Sequence, residues 1–326
     1  MATTLAEIRA KLQAQETRSS GNSTGDNAIF AHWNIPEGTT SRIRFLPDSN
    51  TKNSFFWVER AMIKLPFAGI KGQSDSKPVV VQVPCVEMWG ESCPVLAEVR
   101  TWFKDKALED MGRKYWKKKS YLFQGFVRES TLGDDKVPEN PIRRFVISPQ
   151  IFNIVKAALM DPEMEELPTD YERGLDFLVT KTSKGGYADY STSKYARKES
   201  SLTEVEAAAI EQYGLFNLAD FLPKKPTEVE LKVIKEMFEA SVDGQPYDPD
   251  RWSQYYKPSG FQGGNAPAAA VASDDDVEAD VTPAPVTKPS VTAAPAPEAT
   301  STAEVKPSSQ RAEDILAMIR NRQKQQ

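Results

Sequence analysis

The chain is poor in the residues that most catalytic and metal chemistry uses. Its 326 residues include one histidine, His32, and two cysteines, Cys85 and Cys93. So small a supply excludes a disulfide framework, a His-rich metal centre and the common His relays of acid–base catalysis. Only carboxylate or lysine chemistry, or a metal held by carboxylates, is left to an enzyme. Long apolar runs are missing as well, and no stretch approaches the roughly 18 residues that a membrane-spanning helix needs. Met1 to Arg18 carries Glu7, Arg9, Lys11 and Glu16 where a secretory signal would be apolar. The chain is therefore expected to stay in the cytoplasm, with both thiols reduced. Basic charge is also in deficit: 41 Lys and Arg against 46 Asp and Glu leave a net charge of −5, which taken whole argues against a polyanionic partner.

Aromatic residues are absent from the last 65 positions, because all 31 lie at or before Phe261. Without them that part is not expected to build a core. Residues 261–309 are rich in Ala, Pro, Ser, Thr and Val around the acid cluster Asp274, Asp275, Asp276, Glu278 and Asp280, and read as a disordered linker. Residues 310–326 return to a helical pattern, with Ala312, Ile315, Leu316 and Ile319 on one stripe, and read as a tethered amphipathic segment that binds a partner. At the other end, residues 1–27 contain Leu5, Ile8 and Leu12 at helical spacing. Alone such a helix is marginal, so its stripe is expected to dock, either on its own core or on a neighbouring subunit.

Residues 28–260 carry what can fold. β-Branched and aromatic runs predict strands over 42–46, 55–65, 79–83, 120–127, 142–147 and 175–182. Helical periodicity predicts helices over 94–110, 149–160, 203–213 and 227–242. Gly185-Gly186 predicts a hairpin turn before Tyr187. Several short strands interrupted by helices suggest an α+β chain built on a small barrel with insertions.

Charge divided by segment reverses the first impression. From Arg113 to Arg128 there are six bases and no acid, and from Lys181 to Lys198 there are five bases against Asp189 alone. The acidity is concentrated in residues 199–250, which hold 12 acids and four lysines. Both basic stretches are interleaved with rings: Tyr115, Trp116, Tyr121, Phe123 and Phe126 in one, Tyr187, Tyr190 and Tyr195 in the other. Cations that neutralise phosphates beside flat rings that stack on unpaired bases are what single-stranded nucleic acid requires. The competing reading is a solvated strand face over ordinary core aromatics. No helix gathers Arg and Asn on one face for duplex readout.

Several of these segments resemble the single-stranded DNA-binding, helix-destabilising protein of T-even-type bacteriophages. They are Thr3-Thr4-Leu5-Ala6-Glu7-Ile8, Arg42-Ile43-Arg44-Phe45-Leu46-Pro47, Glu91-Ser92-Cys93-Pro94-Val95, Lys117-Lys118-Lys119-Ser120-Tyr121 and the run from Tyr187 to Tyr195, in that order. The resemblance implies an OB-fold β-barrel over residues 28–260 with a Cys-containing insertion at about 66–112, and sequence-neutral, cooperative coating of single strands during phage replication, recombination and repair. It implies no enzymatic step. The DNA site would draw on Arg113, Lys114, Tyr115, Trp116, Lys117, Lys118, Lys119, Tyr121, Phe145, Tyr187, Tyr190 and Lys194. Leu5, Ile8, Arg9 and Lys11 would contact the next subunit, and the tail would recruit phage replication and recombination proteins in the host cytoplasm. The family's zinc uses one His and three Cys, of which only Cys85 and Cys93 correspond here. Leu96 stands at the third Cys, and residues 71–74 contain no His. The expectation is accordingly no metal and no cofactor. An RNA-binding OB module remains open, because stacking tolerates either sugar. A magnesium nuclease built on acids such as Asp134, Asp135, Asp161 and Glu163 is the rival of another class.

Overall fold

The computed structural model describes residues 28–73, 75–132 and 138–258. The expected segments 1–27, 261–309 and 310–326, with Leu5, Ile8, Arg9 and Lys11, lie outside the described residues, as do Asp134 and Asp135. In chain order the elements are β1 (Thr40–Leu46), β2 (Val58–Phe67), β3 (Val79–Pro84), α1 (Pro94–Trp102), α2 (Glu109–Tyr115), β4 (Lys118–Glu129), β5 (Arg143–Ile147), α3 (Pro149–Leu159), β6 (Phe177–Thr180), β7 (Thr182–Lys184), β8 (Tyr187–Asp189), β9 (Lys194–Tyr195), α4 (Glu204–Tyr213), α5 (Glu228–Val242) and α6 (Pro249–Trp252). The fold is mixed α+β with a mainly antiparallel sheet. Among the described residues, no helix is long and apolar enough to cross a membrane.

The chain divides into two compact units. The first takes residues 28–61 and 119–224. Its strands pair antiparallel in the order β5-β4-β1-β6-β9, and β7 and β8 form a separate hairpin. Phe45 stands opposite Gly125 and Ile43 opposite Phe177, so alternate residues of β1, β4 and β6 point into one interior. That interior is a cluster of Phe30, Phe45, Phe123, Phe145 and Phe177 with Ile43, Ile147, Ile151 and Val155. Each such side chain withdrawn from water contributes about 1.5–3 kcal/mol. Among the described residues, no pairing closes this strand path into a barrel.

A polar network braces the edge of the same interior. Arg44 is fully enclosed and reaches Asp176 at 3.5 Å, Ser200 Oγ at 3.1 Å and the Asp170 carbonyl at 2.5 Å. Arg128 joins Asp176 at 2.7 Å to Glu206 at 2.8 Å. Glu206 also closes a capping box with Thr203 at the start of α4, so one carboxylate serves both helix start and strand.

The second unit takes residues 62–118 and 225–258. It is wider than the expected insertion at 66–112, because α5 and α6 belong to it. In the hairpin of β2 and β3 Lys64 stands opposite Gln82, Phe67 lies 5.5 Å from Trp252 of α6, and Ser241 of α5 donates to the Pro66 carbonyl at 2.5 Å. Trp102 stacks on Phe238 with ring centroids 5.7 Å apart, and Tyr115 meets Phe238 edge-on at 5.3 Å.

Three boundaries differ from expectation for local reasons. The helix expected over 94–110 breaks after Trp102, where the Asp105 carboxylate accepts from the Ala107 amide at 3.0 Å and Leu108 N donates to the Asp105 carbonyl at 3.0 Å. The strand expected over 175–182 ends at Thr180 and resumes as β7. The Gly185-Gly186 turn lies where expected, both residues having the positive φ (64° and 86°) that a tight hairpin requires. The third boundary, the start of β2, concerns the candidate site.

Candidate nucleic-acid interface

A strand expected from Phe55 begins only at Val58, because the preceding residues are captured by side-chain hydrogen bonds. Asp48 accepts from the Asn50 amide at 3.1 Å, and Asn53 Nδ2 donates to Asp48 at 2.8 Å and to the Trp57 carbonyl at 3.1 Å. Asn53 in turn accepts from the Phe55 amide at 3.0 Å. The braced loop holds Phe55 58 % exposed, its ring 4.7 Å from that of Trp57 and tilted 31°. Trp57 lies 5.7 Å from Phe123 in a stacked arrangement and meets Phe152 of α3 edge-on at 5.3 Å. Phe152 then stacks on Tyr121 of β4, with centroids 3.5 Å apart and planes 10° apart. A ladder of rings therefore climbs from the interior of the first unit to a side chain in solvent.

Charge borders this ladder. Arg60 Nε donates to Ser120 Oγ at 3.0 Å, and Lys119 pairs with Glu59 at 2.9 Å. The Tyr121 hydroxyl donates to Glu59, and burial together with the Glu59 charge pushes that hydroxyl up to about 12. Glu59 thus takes up the Lys119 cation.

The second aromatic-basic stretch reaches the same region through α3. Gln150 donates to Asp189 at the end of β8 and accepts from the Tyr190 amide at 3.1 Å, two residues from the Phe152 ring that carries Tyr121. On the β7–β8 hairpin Tyr187 is 64 % exposed, and Lys184 stands opposite it in register. Lys194 is exposed on β9. Lys181 donates to the Trp33 carbonyl at 2.6 Å. His32 is buried beside Tyr190, and desolvation, with a smaller push from the Lys181 charge and against a bond to the Phe30 backbone, lowers its pKa to about 4.

Not every expected ring is open. Phe145 is wholly enclosed between Phe30 and Phe45, so neither face is free for a base. Tyr190 is buried against His32, and Tyr121 is buried against Phe152. Phe55 is an exposed ring, with the partly buried Trp57 beside it, that residue-by-residue reading passed over as strand. The available signal was the Asp48…Asn50…Asn53 spacing, which marks a braced turn ahead of them.

The remaining expected residues belong to the second unit. Arg113 and Lys114 lie in the last turn of α2, not on a strand, and Arg113 pairs with Glu109 at 2.8 Å. Tyr115 is wholly buried, its hydroxyl 3.0 Å from Ser241 Oγ, which removes it from any stacking surface. Trp116 is half-buried, edge-on to Phe103 at 5.2 Å with the Arg100 guanidinium 5.9 Å from its ring. Lys117 pairs with Glu87 at 2.5 Å, and Arg100 also contacts Glu87. Burial opposes ionisation of Glu87, yet the two cations hold its carboxyl below the ordinary range. Lys118 is exposed.

Cys85 and Cys93 are free thiols buried together in this unit. The Cys85 S–H donates to Cys93, which raises Cys85 and, with backbone N–H groups of Leu96, Val95 and Val86, brings Cys93 down to about 6 against the effect of burial. A structural zinc takes about four N or S ligands. Among the described residues, no group of three His, Cys, Asp or Glu gathers, so this donor set does not fit one.

No protein-family model matches this sequence, and the curated proteins offer no match either.

Proposed function

We propose that the protein binds single-stranded DNA without sequence preference and performs no catalysis. The observation that carries the reading is the ring ladder ending in solvent at Phe55, bordered by Arg60 and Lys119, with the Tyr187 hairpin tied through α3 to the same ladder. An exposed Phe braced by hydrogen bonds is poised to accept a base on its open face, and each stacked base contributes about 1–3 kcal/mol. Lys119, Lys184 and Lys194 supply positive charge for phosphates, with release of counterions. The antiparallel strand order is compatible with a partly open OB-type barrel, which supports this reading as the resemblance to the T-even-type phage protein does. On the same reading, Leu5, Ile8, Arg9 and Lys11 give cooperative coating, the tail recruits replication and recombination proteins, and the protein works in the cytoplasm of an infected bacterium.

The test is titration of labelled poly-dT, poly-rU and duplex DNA over a range of salt, with and without magnesium. Tight, steeply salt-dependent binding to poly-dT that strengthens cooperatively with length is expected. Preference for duplex, or strand scission in magnesium, overturns the reading, and preference for poly-rU moves it to RNA.

A further inference from the structure

The loop from Met160 to Gly174 carries six carboxylates and no base before Arg173, which is itself engaged by Glu166 and Glu199. The loop is firmly built. The Asp170 carboxylate accepts from the amides of Glu172 at 2.9 Å and Arg173 at 2.7 Å, while its carbonyl accepts from the enclosed Arg44 at 2.5 Å. Gly174 makes this approach possible, since a Cβ there would stand 2.2 Å from Arg44 Nη2 and 2.3 Å from the Asp170 carbonyl. From this braced loop Met160 and Leu167 project 77 % and 63 % exposed, and Tyr171 is exposed beside them in sequence. Leu167 and Tyr171 line a shallow depression whose other walls are Thr169, Asp170 and Glu172. A loop held this way keeps its apolar side chains at the surface, beside the Asp170 and Glu172 that line the same depression.

We propose that this surface is the docking site of the chain's own segment Arg311–Lys324. Complementarity selects that occupant. Its apolar stripe of Ile315, Leu316 and Ile319 follows Glu313 and Asp314 and precedes Arg320, Arg322 and Lys324, so that with Arg311 four bases outnumber two acids, whereas residues 160–174 hold six acids and one base. Fifty-two residues separate Pro258 from Arg311 in the chain. The docking does not depend on the nucleic-acid reading.

The test compares amide resonances of the ¹⁵N-labelled full chain with those of a chain ending at Gln310. Removal of residues 311–326 is expected to shift resonances of residues 160–174, to the same extent at all protein concentrations. A labelled peptide of residues 309–326 should bind the shortened chain at least ten-fold more tightly than the full chain. Leu167→Glu with Tyr171→Ala, both at exposed positions, should weaken peptide binding at least ten-fold. Unmoved 160–174 resonances, or peptide binding indifferent to those substitutions, overturn the proposal. Equal binding by a peptide of residues 1–18 overturns it in favour of the other terminal segment, and shifts that emerge only on concentration overturn it in favour of a second copy.

Discussion

Tyr121 and Phe152 lie ring on ring, with centroids 3.5 Å apart and planes within 10°, although one belongs to β4 and the other to α3. The contact makes Tyr121 the inner end of a packed ladder whose outer end is the exposed Phe55. It also couples the two aromatic-basic stretches, because Gln150, two residues before Phe152, holds Asp189 and Tyr190. Four expectations follow from this and related contacts.

Phe55→Ala removes the outermost ring and little of the core. Affinity for a short poly-dT oligonucleotide should fall roughly 5- to 150-fold, the equivalent of one stacked base. Stability should change by less than about 1 kcal/mol, because the side chain is already more than half exposed. Fluorescence titration alongside urea unfolding separates the two effects, and an unaltered affinity would remove Phe55 from the interface.

Glu59→Gln frees Lys119 from its 2.9 Å partner. Single-strand binding should tighten several-fold, and the dependence of log affinity on log salt should steepen by up to about one unit, as one further phosphate contact becomes available. The same substitution should lower the Tyr121 hydroxyl from about 12 without restoring its ordinary value, since burial is the larger cause of the shift. Ultraviolet titration of the tyrosinates reports this independently of DNA.

Asp176→Ala leaves Arg44 enclosed without its carboxylate and takes one of the two acidic partners from Arg128. A buried cation stripped of its partner costs about 3–5 kcal/mol. Thermal unfolding should fall by about 10 °C for a unit of this size. A shift of a degree or two would mean that water replaces the carboxylate.

His32 sets an acid limit on stability. Its folded-state pKa of about 4 lies below the ordinary 6.5, so between those values the unfolded chain binds a proton that the folded chain refuses. The contribution is complete above pH about 6.5 and is lost as the pH falls, approaching about 3 kcal/mol by pH 4. Urea unfolding from pH 7 to pH 4 should show this slope, and His32→Phe should flatten it. An equal slope in the variant assigns the acid sensitivity to other groups.

Much of the framework is legible along the chain. Helices expected over 149–160, 203–213 and 227–242 form as α3, α4 and α5 within a residue or two, because apolar spacing and Thr caps with Glu at the third position are local properties. The Gly-Gly hairpin is equally local. The helix expected over 94–110 and the strand expected from Phe55 are less so. There, Asp105, Asp48 and Asn53 compete for backbone donors, and their gain depends on where the chain turns.

By itself the sequence determined where α3, α4, α5 and the Gly-Gly turn form, where rings and cations alternate, and that its acids gather away from its basic stretches, because all three follow from residue type and spacing. Only the tertiary structure decided which rings are open. Tyr115 and Tyr187 are indistinguishable as aromatic residues in basic stretches, yet Ser241, Trp102 and Phe238 close over the first and nothing among the described residues covers the second to that degree. Residue type and period specify an apolar face, but the residues that cover it come from distant parts of the chain. Burial, and with it the capacity to stack on a ligand, belongs to that long-range packing.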